Sequence, residues 1–139
     1  MPAPADRRSF SMPVSVQPAD IDELGHVNNI SYLKWVQDVA TAHWRAVAPP
    51  AHIAAYIWVV TRHEIDYVKQ TLLGETLTIT TWVGTPKGAR FDRFVEICGS
   101  NGDMRARAVT TWALLEAATG RLVRVRAEIA APFIAGEPD

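Results

Sequence analysis

Cysteine is almost absent: Cys98 is the only one in 139 residues, so an internal disulfide and a Cys-based metal cluster are both excluded. A reducing compartment follows, and the chain is expected to be cytoplasmic. Charge of one sign is not in excess either. Fourteen Lys and Arg stand against fifteen Asp and Glu, a formal net charge of −1. No overall field therefore draws the chain to nucleic acid or to an anionic membrane, and any basic binding site must be local. Long apolar runs are also missing. The longest, near Ile53 to Val60, is too short to span a bilayer and is closed off by Arg62, His63 and Glu64. Asp6-Arg7-Arg8-Ser9-Phe10 mimics a twin-arginine export signal, but Pro13, Gln17, Pro18 and Asp20 interrupt the apolar core such a signal needs. No export signal is read, and the protein is expected to be soluble.

What is present is a patterned chain, 48% hydrophobic, of a length that suits one domain over residues 1–139. Residues 1–11 read as a loose arm, and Val14, Ser15 and Val16 as a short strand that Pro18 ends. Asp20-Ile21-Asp22-Glu23-Leu24-Gly25-His26 is a polar loop with a glycine turn. Asn28 is placed to cap a helix, with Val27 and Tyr32 as its hydrophobic staple. From Asn29 to about Ala48 only Lys34, Asp38, Thr41 and Arg45 form a polar stripe, while apolar residues such as Trp35, Val36 and Val39 cover most of the rest. Such a helix must be wrapped, since a flat layer would touch only one face.

Pro49 and Pro50 stop the helix. Strand patterns follow over 57–67, 76–83, 89–98, 104–115 and 122–125, separated by turn residues at Gly74-Glu75, Pro86-Lys87-Gly88, Asn101-Gly102 and Thr119-Gly120. The expectation is an α+β fold: one long central helix wrapped by a curved antiparallel sheet of about five strands, connected as a meander. A single helix cannot cover the open edges of such a sheet, so edge pairing with a second copy is expected.

The chemistry converges just ahead of the helix. Free N–H groups at Asn29 and Ile30, with the positive end of the helix dipole, would favour the negative charge of a tetrahedral intermediate. Asp22 can curl back over that end as a general base or as a nucleophile, and Gly25 permits the tight approach. Acidic loops before helices are also ordinary turns, and Asp20, Asp22 and His26 have the atom types of metal ligands without further ligands at matching spacing. No metal and no cofactor is therefore assigned. There is no Gly-x-Ser-x-Gly elbow, and Cys98 lies in a strand pattern, which argues against a serine or cysteine hydrolase. His63 reads equally as a group pointing into the groove beside the helix and as a half-buried strand histidine.

The segment Asp20-Ile21-Asp22-Glu23-Leu24-Gly25-His26-Val27-Asn28-Asn29-Ile30-Ser31-Tyr32-Leu33 resembles the Asp-x-x-Gly-His-Val-Asn-Asn-x-x-Tyr stretch of acyl-CoA thioesterases in the 4-hydroxybenzoyl-CoA thioesterase family. With the strand before it and the strands after it, the resemblance covers about residues 12 to 125. It implies a hotdog fold, a homodimer or a dimer of dimers, and active sites lying between subunits. It puts the catalytic aspartate on Asp22 and the carbonyl-polarising N–H near Asn29, with His26 beside them. Gly25, Asn28, Tyr32 and His63 would lie along the substrate, and Lys87, Arg90 and Arg93 are candidates for the coenzyme A phosphates. Plant acyl-carrier-protein thioesterases look similar through His26-Val27-Asn28-Asn29, but they carry an asparagine where this chain has Leu24, which argues against their type of site. The late arginines Arg105, Arg107, Arg121, Arg124 and Arg126 read as a solvated strand face or as a contact for coenzyme A or a carrier protein.

The activity so implied is hydrolysis of an acyl-CoA thioester. Two rivals stand beside it: a hydratase or dehydratase in which Asp22 and His26 share acid and base work, and a non-catalytic acyl-CoA binding domain.

Overall fold

Asn28 starts the long helix and Pro49 follows its end. In the computed structural model, which describes residues 3–134, α1 spans Asn29–Val47. The Asn28 side chain accepts a hydrogen bond from the Ile30 N–H at 2.9 Å, satisfying one of the donors a helix start leaves over. Tyr32, Trp35, Val36, Val39, Ala40 and His43 recur at three- and four-residue spacing and are all buried, which fixes the face that α1 turns to the sheet.

Five strands form that sheet: β1 (Phe10–Ser15), β2 (Tyr56–Tyr67), β3 (Thr76–Val83), β4 (Arg90–Cys98) and β5 (Met104–Glu116). Every pairing is antiparallel, and the spatial order is β1-β3-β4-β5-β2. The meander reading holds only for β3-β4-β5, because β2, first out of the helix, takes the far edge beside β5. Leu77 and Ile79 of β3, Val95 and Ile97 of β4, and Ala106 and Ala108 of β5 join Tyr32, Trp35, Val36 and Val39 in one core. Each large side chain so buried contributes roughly 1.5–3 kcal/mol. A second core, under the C-terminal half of α1, is built by Val83, Phe91 and Leu114 with Val125, Ile129 and Phe133.

The chain's ends depart from expectation. The arm over 1–11 is not loose where it is described. Arg7 pairs with Ile134, its Nε donates to the Val83 carbonyl at 3.0 Å, and β1 begins at Phe10 because the ring at that position has the His43 ring to stack on, 5.1 Å away. Residues 122–125 are not a strand: only Leu122 bridges to Leu115, after which the chain turns into a short helix, α3 (Ala127–Ala130), whose Ile129 fills the second core. Pro50, besides stopping α1, opens a further short helix, α2 (Pro50–Ala55), where a first-turn proline has no N–H to lose. Among the described residues no helix is long and apolar enough to cross a membrane.

Candidate active site

Residues 20–28 form a closed loop whose parts have different tasks. Ile21 bridges to Val27, the Asp22 N–H donates to the His26 carbonyl at 2.9 Å, and the Gly25 N–H donates to the Asp22 carbonyl at 3.1 Å. Gly25 makes this reversal with φ of 81°, a conformation that glycine adopts without a Cβ clash.

The acidic side chains separate cleanly. Asp20 is structural: its carboxylate accepts from the Gln17 N–H and from the Ser31 hydroxyl, both at 2.9 Å, while its carbonyl accepts from the Asn28 N–H at 2.7 Å. It thereby ties β1, the loop and the first turn of α1 together. Asp22 accepts through Oδ1 from the Leu24 N–H at 2.9 Å, and its Oδ2 has no donor among the described residues. Glu23 is exposed.

The helix start is similarly resolved. Of the two N–H groups read as free, those of Asn29 and Ile30, that of Ile30 is taken by the Asn28 side chain; the next along, that of Ser31, donates to the Asn28 carbonyl at 3.0 Å. The Asn29 N–H is left without an acceptor among the described residues. The expectation of two free donors is thus corrected to one, because Asn28 uses the other.

Asp22, His26, Asn28, Asn29 and Tyr32 line one groove of about 400 Å³, with Gly25 in the turn beside it. The opposite wall was not singled out in the sequence. It is Tyr67, Val68, Lys69 and Gln70, where β2 runs out. The Tyr67 hydroxyl donates to the Asn29 carbonyl at 3.4 Å. That wall is fixed from behind: the Val27 N–H donates to the Thr71 carbonyl at 2.9 Å, and the Tyr32 hydroxyl donates to Thr71 Oγ1 at 2.9 Å. Burial raises the Tyr32 pKa, the main cause, against the lowering effect of Thr71, so the phenol remains a donor at neutral pH.

Behind Thr71 lies Arg105, whose guanidinium donates to both Glu75 oxygens at 3.0 and 2.8 Å, to Asp103, to Thr71 Oγ1 and to the Gln70 carbonyl. Its main chain carries the wall too, because the Arg105 carbonyl accepts from the Val68 N–H at 2.8 Å. Arg105 is only 6% exposed, so the reading of the late arginines as one solvated face fails for it. It occupies a bulge, where Ile97 and Cys98 of β4 shift register against β5, and this breaks the alternation that the spacing assumed. Arg107 does face solvent, beside Asp66.

The remaining candidates lie elsewhere. His63 is on the helix-facing side of β2, its Nδ1 2.9 Å from Thr110 Oγ1 and its Nε2 3.3 Å from Gln37 Nε2. Burial lowers its pKa, and it does not line the Asp22 groove. Lys87 and Arg90 close the β3–β4 hairpin by mutual backbone hydrogen bonds of 2.8 and 3.0 Å. The register Val59–Ala113–Arg90 puts them at the opposite end of the sheet from Tyr67. Within one chain they do not meet Asp22.

Comparison with known proteins adds identity to this geometry. Over 88 residues the chain is 34% identical to a chloroplast acyl-[acyl-carrier-protein] hydrolase of Cuphea viscosissima, a stretch that covers 59% of this chain and 21% of that protein. The chain therefore spans about a fifth of the length of that relative. Among solved structures, DHNA-CoA thioesterase from Staphylococcus aureus superposes with a TM-score of 0.75 at 18% identity, covering 84% of this chain and 80% of the other. A thioesterase complexed with coenzyme A and Zn from Thermus thermophilus superposes with a TM-score of 0.76 at 24% identity, covering 88% and 94%. These superpositions establish the hotdog fold. The family model of the thioesterase-like superfamily matches residues 16–133, a span that holds both the Asp22 loop and the Arg105 buttress, and the chain belongs to that superfamily.

Proposed function

We propose that the chain hydrolyses the thioester of an acyl-CoA to a free carboxylic acid and coenzyme A. One observation carries the reading: a single groove holds a carboxylate oxygen and a backbone N–H, on Asp22 and Asn29, that have no partner among the described residues. The Asn29 N–H, at the positive end of α1, polarises the thioester carbonyl and holds the oxyanion. Asp22 takes a proton from water as the resulting hydroxide adds to the carbonyl carbon. The C–S bond then breaks and the proton leaves on the thiol sulfur. Direct attack by Asp22, giving an anhydride that water opens, uses the same two groups. His26, on the loop, and Tyr32, on the helix, border the bound acyl group. The role of Gly25 is to keep that loop tight, and Asn28 holds the helix start.

A second copy completes the site. β2 is an open edge carrying exposed Ile57 and Val59, and exposed Ile30 lies at the start of α1. Isologous pairing of two β2 edges covers them and brings the partner's Lys87 and Arg90 end alongside the groove, where these cations suit the coenzyme A phosphates. The assembly proposed is a homodimer or a dimer of dimers, and its proposed place of action is the cytoplasm.

The match to a plant carrier-protein hydrolase favours one further donor, an acyl-carrier protein, despite Leu24. The test is a panel of short, long and aromatic acyl-CoA substrates and an acyl-carrier protein, read by thiol release and by enoyl absorbance, with sedimentation for the oligomer. Thiol release supports hydrolysis, and the preferred donor identifies the carrier. An absorbance change without thiol overturns it in favour of a hydratase that uses His26. Saturable binding with neither signal overturns it in favour of a binding domain.

A further inference from the structure

At the other end of the sheet from Asp22, a cavity of about 250 Å³ opens between the C-terminal half of α1, the start of β2 and the ends of β4 and β5. Its walls are aromatic, including Trp44, Trp58, Phe91, Trp112 and Phe133. One wall is a cation. Arg93 is 8% exposed and has no carboxylate partner among the described residues: Nη1 donates to His43 Nδ1 at 2.8 Å and to Thr81 Oγ1 at 3.2 Å, and the guanidinium carbon lies 5.9 Å from the Phe133 ring centre. The N–H groups on Nε and Nη2 have no acceptor among the described residues.

A buried charge without a counter-ion is costly unless something supplies the opposite charge. Burial lowers the Arg93 pKa only to about 10, so the group stays cationic at neutral pH. Asp92 also lines the cavity; it forms no ion pair with Arg93 among the described residues, and its Oδ1 accepts from the Thr111 hydroxyl at 2.7 Å. Two further features have the same sign. Exposed Arg45 borders the cavity, and the buried indole N–H of Trp112, a residue of the same wall, has no acceptor among the described residues. Aromatic walls with two arginines against the single carboxylate of Asp92 are complementary to a flat apolar body bearing an anionic acceptor.

We propose that this cavity binds a small aromatic carboxylate, its carboxylate on Arg93 and its ring among the tryptophans. Within one chain the cavity lies at the far end of the sheet from the Asp22 groove, and the binding tested does not use Asp22. The test is calorimetric titration of the native protein with benzoate and with its neutral isostere benzamide, repeated on Arg93→Gln, Arg93→Lys and Asp22→Asn. Benzoate is expected to bind saturably and about tenfold or more tighter than benzamide. Arg93→Gln should abolish that preference, Arg93→Lys should keep part of it, and Asp22→Asn should leave it unchanged. Equal affinity for the two probes, or a preference that survives Arg93→Gln, overturns the proposal. The native-protein comparison holds even if Arg93→Gln fails to fold. Two sources of such a carboxylate are separated by adding benzoate to the hydrolysis assay. A KM raised in the native protein but not in Arg93→Gln identifies the product acid as the natural occupant, and unchanged kinetics identify a separate effector, with Arg93 binding the carboxylate in both.

Discussion

His43 is where the fold most directly resists a proton. Its ring is 1% exposed, stacked on Phe10 at 5.1 Å and set edge-on to Phe133 at 4.8 Å, while Nδ1 accepts from Arg93. Burial first, and the Arg93 charge second, hold its pKa down to about 3 from an ordinary 6.5. The unfolded chain takes up this proton near pH 6.5 and the folded chain does not until about pH 3. The stability is therefore complete above 6.5 and is lost as pH falls through that window. One pKa unit is worth about 1.4 kcal/mol, so roughly 2 kcal/mol is lost between pH 6.5 and pH 5. His43→Gln keeps an acceptor within reach of Arg93 and cannot titrate. Urea unfolding at pH 7.5 and pH 5 should show the native protein losing roughly 2 kcal/mol more than the variant. The carboxylates held low by Arg105 are common to both proteins and cancel in the difference. Equal losses would refute the argument, since they would mean that His43 titrates normally.

Three further outcomes follow from the groove. Arg105→Met should cost about 2–3 kcal/mol in urea unfolding at pH 7, below the ~3–5 kcal/mol of a fully buried pair because both carboxylates keep some water. The side-chain hydrogen bond from Arg105 is the largest cause holding Glu75 below its ordinary 4.5, so this gap should be full above that value and close as pH falls below it; a gap independent of pH contradicts the pairing. Asn28→Ala should lower stability by about 1 kcal/mol, with Asn28→Ser restoring most of it, as read by thermal melts. Tyr32→Phe should leave the fold intact but free Thr71, costing about 1 kcal/mol and loosening the Tyr67–Gln70 wall, which a raised KM without a matching fall in kcat would report.

The helix, its cap and the loop were legible because local rules fix them: Asn28 needs only its own next turn, and Gly25 only its own backbone. The strand bodies were legible for a similar reason, since Thr76–Val83 alternates and burial follows that alternation as far as Thr81, beyond which Trp82 is buried as well, stacked on Phe94. What escaped depends on partners far away in sequence. Phe10 extends β1 because the His43 ring waits for its own, and nothing local to residues 6–10 says so. Leu122 to Val125 has strand composition, but β5 offers it one bridge before Ile129 pulls the chain into the second core. Arg105 looked like one of five similar arginines, and a single bulge at Cys98 turned it inward to hold Glu75 and Thr71. Tyr67–Gln70 became a wall of the site through Thr71, whose contacts to Tyr32 and Val27 cross some forty residues of chain, a separation no short motif encodes.

The central claim is that Asp22, and not the other carboxylates of its loop, performs the chemistry. The most direct test is kcat for thiol release by the native protein, Asp22→Asn and Asp20→Asn on the best substrate of the panel, with a melting curve for each. The account predicts that Asp22→Asn melts like the native protein yet loses about a hundredfold or more in kcat, while Asp20→Asn melts earlier and, where still folded, keeps kcat close to native. An Asp22→Asn enzyme that turns over within a few-fold of native would contradict it.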